Sequence, residues 1–190
     1  MKTARIISSN SHIDYVARVY DEEGDGPKLE FATFVSFSLD AATLVGVIYD
    51  SKLVNPQLNS YTPRLSRRST LGDLSSDTLN EPGVLIGIIL LGSIDNDGAV
   101  RHGIPPQVIP HGVELQRMSR DAVRQFHRGS EGDLKLHYYS QVLGNTGLLG
   151  VPLMESIIDQ LMPECSDGEC KRLEVLRQTL KWQRTIGSVR

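Results

Sequence analysis

The glycine-rich stretch Val142–Pro152, VLGNTGLLGVP, contains the residue types that come nearest to a nucleotide-binding motif. A phosphate loop has the pattern G-x-x-x-x-G-K-[ST], in which the lysine contacts the β- and γ-phosphates and the hydroxyl binds Mg²⁺. Counted from Gly144, the second glycine position holds Leu149, the lysine position holds Gly150 and the hydroxyl position holds Val151. The dinucleotide pattern G-x-G-x-x-G also fails on spacing. The stretch therefore predicts a structural turn rather than an ATPase site.

Histidine and carboxylate side chains show no catalytic spacing. Neither an H-E-x-x-H helix nor a G-x-S-x-G elbow occurs, and Asp95 and Asp97 lie in a turn context, where carboxylates are usually solvated. His102 and His111 flank a proline-rich segment and, with a carboxylate, would form a metal site, although surface positions are favoured for both. We therefore expect a protein that is not an enzyme and carries no cofactor, with a metal-dependent enzyme as a further alternative.

The two cysteines, Cys165 and Cys170, lie in the segment PECSDGECK with no histidine close in sequence. A zinc site takes about four ligands, and this pair supplies two at an unusual spacing. We expect two reduced thiols near the start of a helix.

Two arginine clusters are the candidates for contact with phosphates or with a partner. They are Arg64, Arg67 and Arg68 in one segment, and Arg120, Arg124 and Arg128 in another. The spacing of four puts the second cluster, which Arg117 precedes, on one face of a helix beginning after Ser119. A solvated face is favoured over a nucleic-acid interface, because the net charge is -3 and no aromatic residues interleave the arginines.

The composition is that of an ordinary globular protein. The 190 residues are 39% hydrophobic and 23% charged, which fits one domain or a domain with an appendage. The longest apolar run, Val84–Leu91, is too short to span a bilayer, and the start MKTARIISSNSH lacks the apolar core of a signal peptide. We therefore expect a cytoplasmic protein without membrane contact.

Patterns of β-branched and aromatic residues predict strands in the N-terminal part of the chain. The predicted strands are Lys2–Ser8, His12–Tyr20, Lys28–Leu39, Thr43–Ser51, Gly83–Ile94 and a short strand near Val113. Asp95–Gly98 predicts a hairpin turn, and residues 55–82, rich in Ser, Thr, Pro, Asn and Asp, predict a long loop.

From residue 117 onward the apolar residues recur with the period of a helix. Leu153, Ile157, Ile158 and Leu161 predict one helix, which Pro163 would end. Leu173, Leu176 and Leu180 form a stripe on the last helix, which would either cover the chain's own barrel or meet a partner. The predicted fold is mainly β, with an N-terminal β-barrel over residues 1–116 and a C-terminal helical appendage over residues 117–190.

The barrel segment resembles the HAS-barrel, the small barrel that precedes the motor of HerA-type DNA-translocating ATPases. A similar barrel opens the catalytic subunits of rotary ATP synthases. The resemblance covers residues 3–128. It rests on Leu44–Ile48, a long loop, Ile86–Ile88, Leu91–Ser93, Pro105 and Pro106, a strand at Val113 and a helix from Ser119. It implies a non-catalytic assembly module, and no catalytic residue is carried over because GNTGLLG stands where the motor would have its phosphate loop.

These observations together lead to an expected function. We expect a non-enzymatic adaptor that forms homo-oligomers or docks onto a separate ATPase subunit, through barrel edges or C-terminal helices. The alternative is a nucleic-acid-binding barrel that uses the arginine clusters.

Overall fold

The computed structural model describes residues 2–21, 28–54, 83–128 and 132–187, with side chains over 4–20, 28–54, 83–128 and 132–182. The described strands are β1 (Lys2–Ser9), β2 (Asp14–Asp21), β3 (Phe34–Ser38), β4 (Ala42–Val54), β5 (Gly83–Asp95), β6 (Val100–His102) and β7 (Glu114–Arg117). The described helices are α1 (Arg120–Arg128), α2 (Tyr139–Asn145), α3 (Gly150–Leu161) and α4 (Asp167–Gly187).

Six of the strands close an antiparallel barrel. The hydrogen-bonded order is β2-β1-β7-β3-β4-β5, and β2 also pairs with β5, which completes the ring. β6 pairs with β5 outside this ring. The mainly β fold with a barrel followed by helices is confirmed, and closure leaves the ring strands paired on both sides.

β5 pairs with three other strands. It pairs with β4 along Gly83–Asp95, with β2 along Val84–Ile89 and with β6 along Gly92–Ile94. Bulges in the β4–β5 ladder give the curvature that a closed sheet requires. Gly92 has φ 159°, and a Cβ there would collide with the carbonyl oxygen of Arg101. Glycine is therefore what lets β6 approach β5.

Two strand predictions need correction at their starts. Only Phe34–Ser38 of the predicted Lys28–Leu39 strand is extended, because the preceding residues form a turn that contains Ala32 with φ 62°. The second strand begins at Asp14, after a turn in which the Asn10 N–H donates to the Asp14 carbonyl oxygen. The predicted hairpin turn at Asp95–Gly98 is confirmed.

The helices begin and end largely where the sequence predicts. The Ser119 hydroxyl oxygen accepts a hydrogen bond from the Ala122 N–H at 3.2 Å, so Ser119 caps α1 as expected. α3 ends at Leu161, just before Pro163. α2 was not predicted, and its C-terminal end leads into a 3₁₀ turn at Gly147–Leu149. At that end the Thr146 hydroxyl donates to the Val142 carbonyl oxygen at 2.7 Å. The glycine-rich stretch thus runs from α2 through this turn into α3, and the predicted turn is confirmed only in its middle.

One hydrophobic core runs from the barrel into the helices, across the predicted boundary at residue 117. It includes the leucine stripe of α4, in which Leu173 is 4% exposed, Leu180 is 0% exposed and Leu176 is partly buried. The hypothesis that this stripe faces a partner is wrong, because the helix uses it to cover the chain's own core. No helix in the described ranges is long and apolar enough to cross a membrane.

Candidate functional site: a cleft between the barrel and the helices

A cleft of about 520 Å³ lies between the barrel and the helical layer. It is lined by the turn before β3, the end of β7, the first half of α1, and the end of α3 with the turn after it. Its walls therefore come from three stretches of the chain that are far apart in sequence, residues 30–34, 117–124 and 159–164. Its charged and larger apolar lining residues are Glu30, Phe31, Phe34, Arg117, Met118, Arg120, Val123, Arg124, Asp159, Leu161 and Glu164.

The turn before β3 forms one wall of the cleft, and hydrogen bonds join it to β4 on one side and to α3 on the other. Ala32 is 2% exposed and has a left-handed backbone conformation, φ 62°, which a non-glycine residue rarely adopts. Its N–H donates to the Ile48 carbonyl oxygen at 2.8 Å, and its carbonyl oxygen accepts from Gln160 Nε2 at 2.9 Å. The second bond ties this turn to α3. Phe31, the neighbouring residue, stays 44% exposed in the cleft.

Three arginines line the cleft on the side of β7 and α1. Arg117 ends β7, Arg120 begins α1, and Arg124 follows one turn later. Arg124 Nε lies 3.9 Å from Glu164 Oε2, a loose ion pair between exposed groups. Arg117 and Arg120 have no ion pair with any residue in the described part of the chain. Two of the three arginines predicted on this helix face, Arg120 and Arg124, thus lie at the cleft.

The carboxylates of the cleft are mostly engaged within the chain. Asp159 Oδ1 accepts from Arg177 Nη1 at 3.0 Å, and Glu164 faces Arg124. Glu30 is the remaining acidic residue of the lining, and its carboxylate has no partner within the described ranges. Among the described residues, the lining thus has one carboxylate without a basic partner and two guanidinium groups, those of Arg117 and Arg120, without an acidic partner. The lining has three arginines and three carboxylates, and counting Arg177, which pairs with Asp159 from outside it, leaves an excess of one positive charge.

Arg128, the third predicted arginine of this helix, has a different role. Its Nη1 and Nη2 donate to Glu169 Oε1 and Oε2 at 3.0 and 3.1 Å, and to the carbonyl oxygens of Gly132 and Glu164 at 2.7 and 2.8 Å. The hypothesis of a phosphate or partner contact at Arg128 is wrong, because its donors are already committed to this buried pair.

Glu169 completes the pair at the start of α4. Besides Arg128, its carboxylate accepts hydrogen bonds from the Ser166 N–H and hydroxyl and from the Leu134 N–H. The Arg128 hydrogen bond, followed by those from Ser166, lowers the pKa of Glu169 to about 2. We call this network the Arg128–Glu169 clasp. It joins the end of α1 to the start of α4.

His127 is a structural residue of the core. Its Nδ1–H donates to the Val123 carbonyl oxygen at 2.7 Å, so Nε2 is left to accept from the Tyr138 hydroxyl at 2.6 Å. Burial lowers the pKa of His127 to about 4. The imidazole is therefore neutral near pH 7, with both nitrogens hydrogen-bonded.

His102 packs on the same aromatic group. Its ring contacts those of His127, His137, Phe126 and Tyr138, and its Nε2 lies 2.9 Å from the Phe126 carbonyl oxygen. His111 is exposed. No set of three metal-binding side chains occurs among the described residues, so the hypothesis of a metal site at His102 and His111 finds no ligand set there.

The remaining sequence predictions concern the cysteines and the first arginine cluster. Cys165 and Cys170 are free thiols next to the start of α4, as predicted, and burial raises the pKa of Cys165 to about 11. Arg64, Arg67 and Arg68 lie outside the described residues.

The sequence did not indicate Phe31, Glu30 or the α3 residues as parts of a site. They reach the cleft only through the register of the barrel and the packing of α3. The one available signal was Arg117, which precedes the arginine series of α1.

A comparison with protein-family models places the chain in a family. A family model described as Domain of unknown function (DUF8166) matches residues 1–190. A search of curated proteins found no match.

Proposed function

The chain belongs to the family described as Domain of unknown function (DUF8166), and we propose that it is a cytoplasmic, non-enzymatic adaptor that binds a protein partner in the cleft. The observation that carries the proposal is the combination of unpaired guanidinium groups, an exposed aromatic ring and a partly apolar floor in one cleft. Arginine and aromatic residues are the types that contribute most to protein–protein binding energy.

The chemistry of the described histidines also supports binding rather than catalysis. His127 and Tyr138 hydrogen-bond each other inside the core, and His102 lies against the backbone of α1. General acid–base catalysis needs such groups within reach of a substrate in a cleft. The groups that do face the cleft are guanidinium, carboxylate and apolar groups, and two of the carboxylates, Asp159 and Glu164, face Arg177 and Arg124.

The resemblance to HAS-barrels supports the kind of partner that we propose. A closed six-stranded barrel fits the assembly role that the resemblance implies, and the proposed partner is a separate ATPase subunit or further copies of this chain. Because the leucine stripe of α4 is buried, we place the contact at the cleft rather than on that helix.

The proposal is tested by recovering partners from a native extract with the wild-type chain and with two cleft variants, Arg120→Glu and Phe31→Ala. We expect a partner identified by mass spectrometry as an ATPase subunit, lost with both variants. The matched control is Arg172→Glu, which makes the same charge change at an exposed position of α4 away from the cleft lining. Capture that is equal for all four proteins contradicts a role for the cleft.

Light scattering after size exclusion tests the self-assembly form of the proposal. Measured over a range of concentrations, a mass above the 21.0 kDa monomer that Arg120→Glu reduces would identify a second copy as the partner. A strict monomer that also recovers no partner from the extract would refute the adaptor function in both forms.

A nucleic-acid-binding barrel is a second candidate, because Arg117, Arg120 and Arg124 share one cleft with the exposed Phe31. Binding of labelled single- and double-stranded DNA, followed by fluorescence anisotropy from 50 to 200 mM salt, distinguishes it. Contacts to about three phosphates would give a slope of log K against log salt of about -2 to -3. An adaptor for a protein partner should show little DNA binding at any of these concentrations.

A further inference from the structure

The charges of the cleft indicate what kind of protein partner it fits, and this inference rests on the proposed function. We infer that the cleft binds an acidic linear segment of a partner, in which an apolar side chain lies beside at least one carboxylate. The charge balance of the cleft rim, the volume of the cleft and the apolar side chains of its floor support this inference.

The charge balance favours a carboxylate ligand. Asp159 is paired with Arg177, and Glu164 faces Arg124, so these carboxylates add little net charge. Within the described ranges, Arg117 and Arg120 have no acidic partner, and Glu30 has no basic one. A guanidinium group recognises a carboxylate with two parallel hydrogen bonds, which makes this pairing stronger and more directional than a lysine contact.

The size and position of the cleft favour a linear segment. A volume of about 520 Å³ takes a few side chains, and it lies within the range of ligand pockets. It also lies at the junction of the barrel and the helices. An extended or turn segment that enters with one or two side chains fits such a site, while the flat face of a folded domain does not.

The floor of the cleft favours an apolar side chain in that segment. Phe34 and Leu161 are buried there, Met118 and Val123 are partly buried, and Phe31 is exposed. Covering Phe31 would remove exposed apolar surface from water, at roughly 25 cal/mol per Å² of area buried. The arginines beside this floor would hold the carboxylate at a fixed distance from the apolar side chain.

The effect of Glu30 on peptide affinity provides a specific test of the inference. Glu30 is the unpaired negative group of the lining, so it repels an acidic segment and attracts a basic one. Removing its charge by Glu30→Gln should therefore strengthen binding of an acidic segment, by about twofold to fivefold for an exposed charge. If the cleft only stabilises the fold, Glu30→Gln should not strengthen binding of the acidic segment.

The experiment is a selection of random 12-residue peptides on the full chain, with counter-selection on the double variant Arg117→Glu/Arg120→Glu. Circular dichroism and thermal melting first establish that each variant is folded. We expect enriched peptides with an excess of Asp and Glu next to an aromatic or branched apolar residue. Their labelled synthetic forms are then titrated by fluorescence anisotropy.

The titrations have defined outcomes. We expect affinity to fall by about tenfold or more in the double variant, to rise in Glu30→Gln and to be unchanged in Arg172→Glu. Replacing the acidic residues of the peptide by lysine should restore binding to the double variant. Neutral or basic enriched peptides, a weaker complex with Glu30→Gln, or no peptide that depends on the cleft overturns the inference.

Failure here is distinguishable from failure of the proposed function. A native partner that depends on Phe31 and Arg120, together with the absence of acidic-peptide binding, leaves the adaptor function standing and overturns only the acidic segment. If single-stranded DNA binds the cleft more tightly than any selected peptide, the anionic partner is a nucleic acid, and both proposals are overturned.

Discussion

The imidazole of His127 links the core of the protein to solution pH. The folded chain holds it neutral with a pKa of about 4, while the unfolded chain binds a proton near the ordinary value of 6.5. Above pH 6.5 the group is neutral in both states, so its stabilisation is fully present. As pH falls from 6.5 to 4 the unfolded state alone gains the proton, and stability is lost. Urea unfolding at pH 7.5 and 4.5 should show a loss on the order of 3 kcal/mol, at about 1.4 kcal/mol per pH unit.

The control for this prediction is His127→Gln. A glutamine can also donate to the Val123 carbonyl oxygen and accept from the Tyr138 hydroxyl, but it does not titrate. The variant should therefore lose much less stability over the same range. His102, whose pKa burial also lowers, titrates in the same direction and accounts for the remaining slope. Equal losses in wild type and variant would contradict the assignment to His127.

The sequence predicted only some of the residues that line the cleft. Arg120 and Arg124 were predicted because their spacing alone places them on one helix face. Phe31 was missed because it lies in a stretch that the sequence predicts as a strand, whereas the turn with the left-handed Ala32 delays the start of that strand to Phe34. Arg128 has the same spacing as its neighbours, yet it is bound to Glu169, 41 positions away, and spacing carries no information about such a partner.

At the scale of elements, the Arg128–Glu169 clasp holds α1 against α4. Removing one member leaves the other buried without its partner, so Arg128→Met and Glu169→Met should each lower the midpoint of urea unfolding. The double variant should lose less than the sum of the two single losses, because neither charge is left unpaired. Urea denaturation of the four proteins at pH 7 measures this coupling.

Acid provides an independent check on the clasp. The pKa of Glu169 is lowered from 4.5 to about 2, so its stabilisation is present above pH 4.5 and is lost as pH falls from 4.5 towards 2. This window lies mainly below that of His127. Glu169→Met should remove it, and Arg128→Met should reduce it, because the Arg128 hydrogen bond is the largest cause of the lowered pKa of Glu169. Additive losses in the double variant, or an unchanged acid response in Glu169→Met, would mean that the clasp does not join the two helices energetically.

Gly92 is the position on which the pairing of β5 with β6 depends. A methyl group there would collide with the Arg101 carbonyl oxygen, and the strand cannot yield without breaking its ladder with β4. Gly92→Ala should therefore prevent stable folding or lower the melting temperature severely. Gly98→Ala is the matched control, since its φ is also positive but nothing lies within 4 Å, and it should cost only about 1 kcal/mol. Thermal melting followed by circular dichroism measures both, and similar melting temperatures would contradict this account.

The elements themselves were more predictable than their arrangement. Long runs of β-branched residues gave β4 and β5, and Ser119 gave the start of α1, since these signals are local. α2 was missed because seven residues that end among glycines show too little of a helical period. The order of strands around the barrel and the excursion of β6 depend on long-range pairing, which periodicity does not encode.

At the scale of the whole molecule, the continuous core implies that barrel and helices fold as one unit. Phe126 of α1 and Tyr138, next to α2, are 0% exposed in the core that also contains Leu90, and Gln141 Nε2 donates to the Leu90 carbonyl oxygen at 2.6 Å. The helices therefore cover apolar surface that a barrel of residues 1–116 would expose to water. Such a fragment should be unfolded or aggregated in isolation.

In the intact chain, the same core predicts a single cooperative transition. Far-UV circular dichroism at 222 nm reports mainly the helices. Once Tyr138, Tyr139 and Trp182 of the helical part are replaced by phenylalanine, near-UV circular dichroism reports the remaining tyrosines, among them the buried Tyr15 of β2. The two unfolding curves in urea should superimpose, because neither layer keeps its core without the other. A helical signal that melts before the tyrosine signal would divide the chain near residue 117. The cleft would then open before the barrel unfolds, and binding there would be a property of a movable junction rather than of a fixed site.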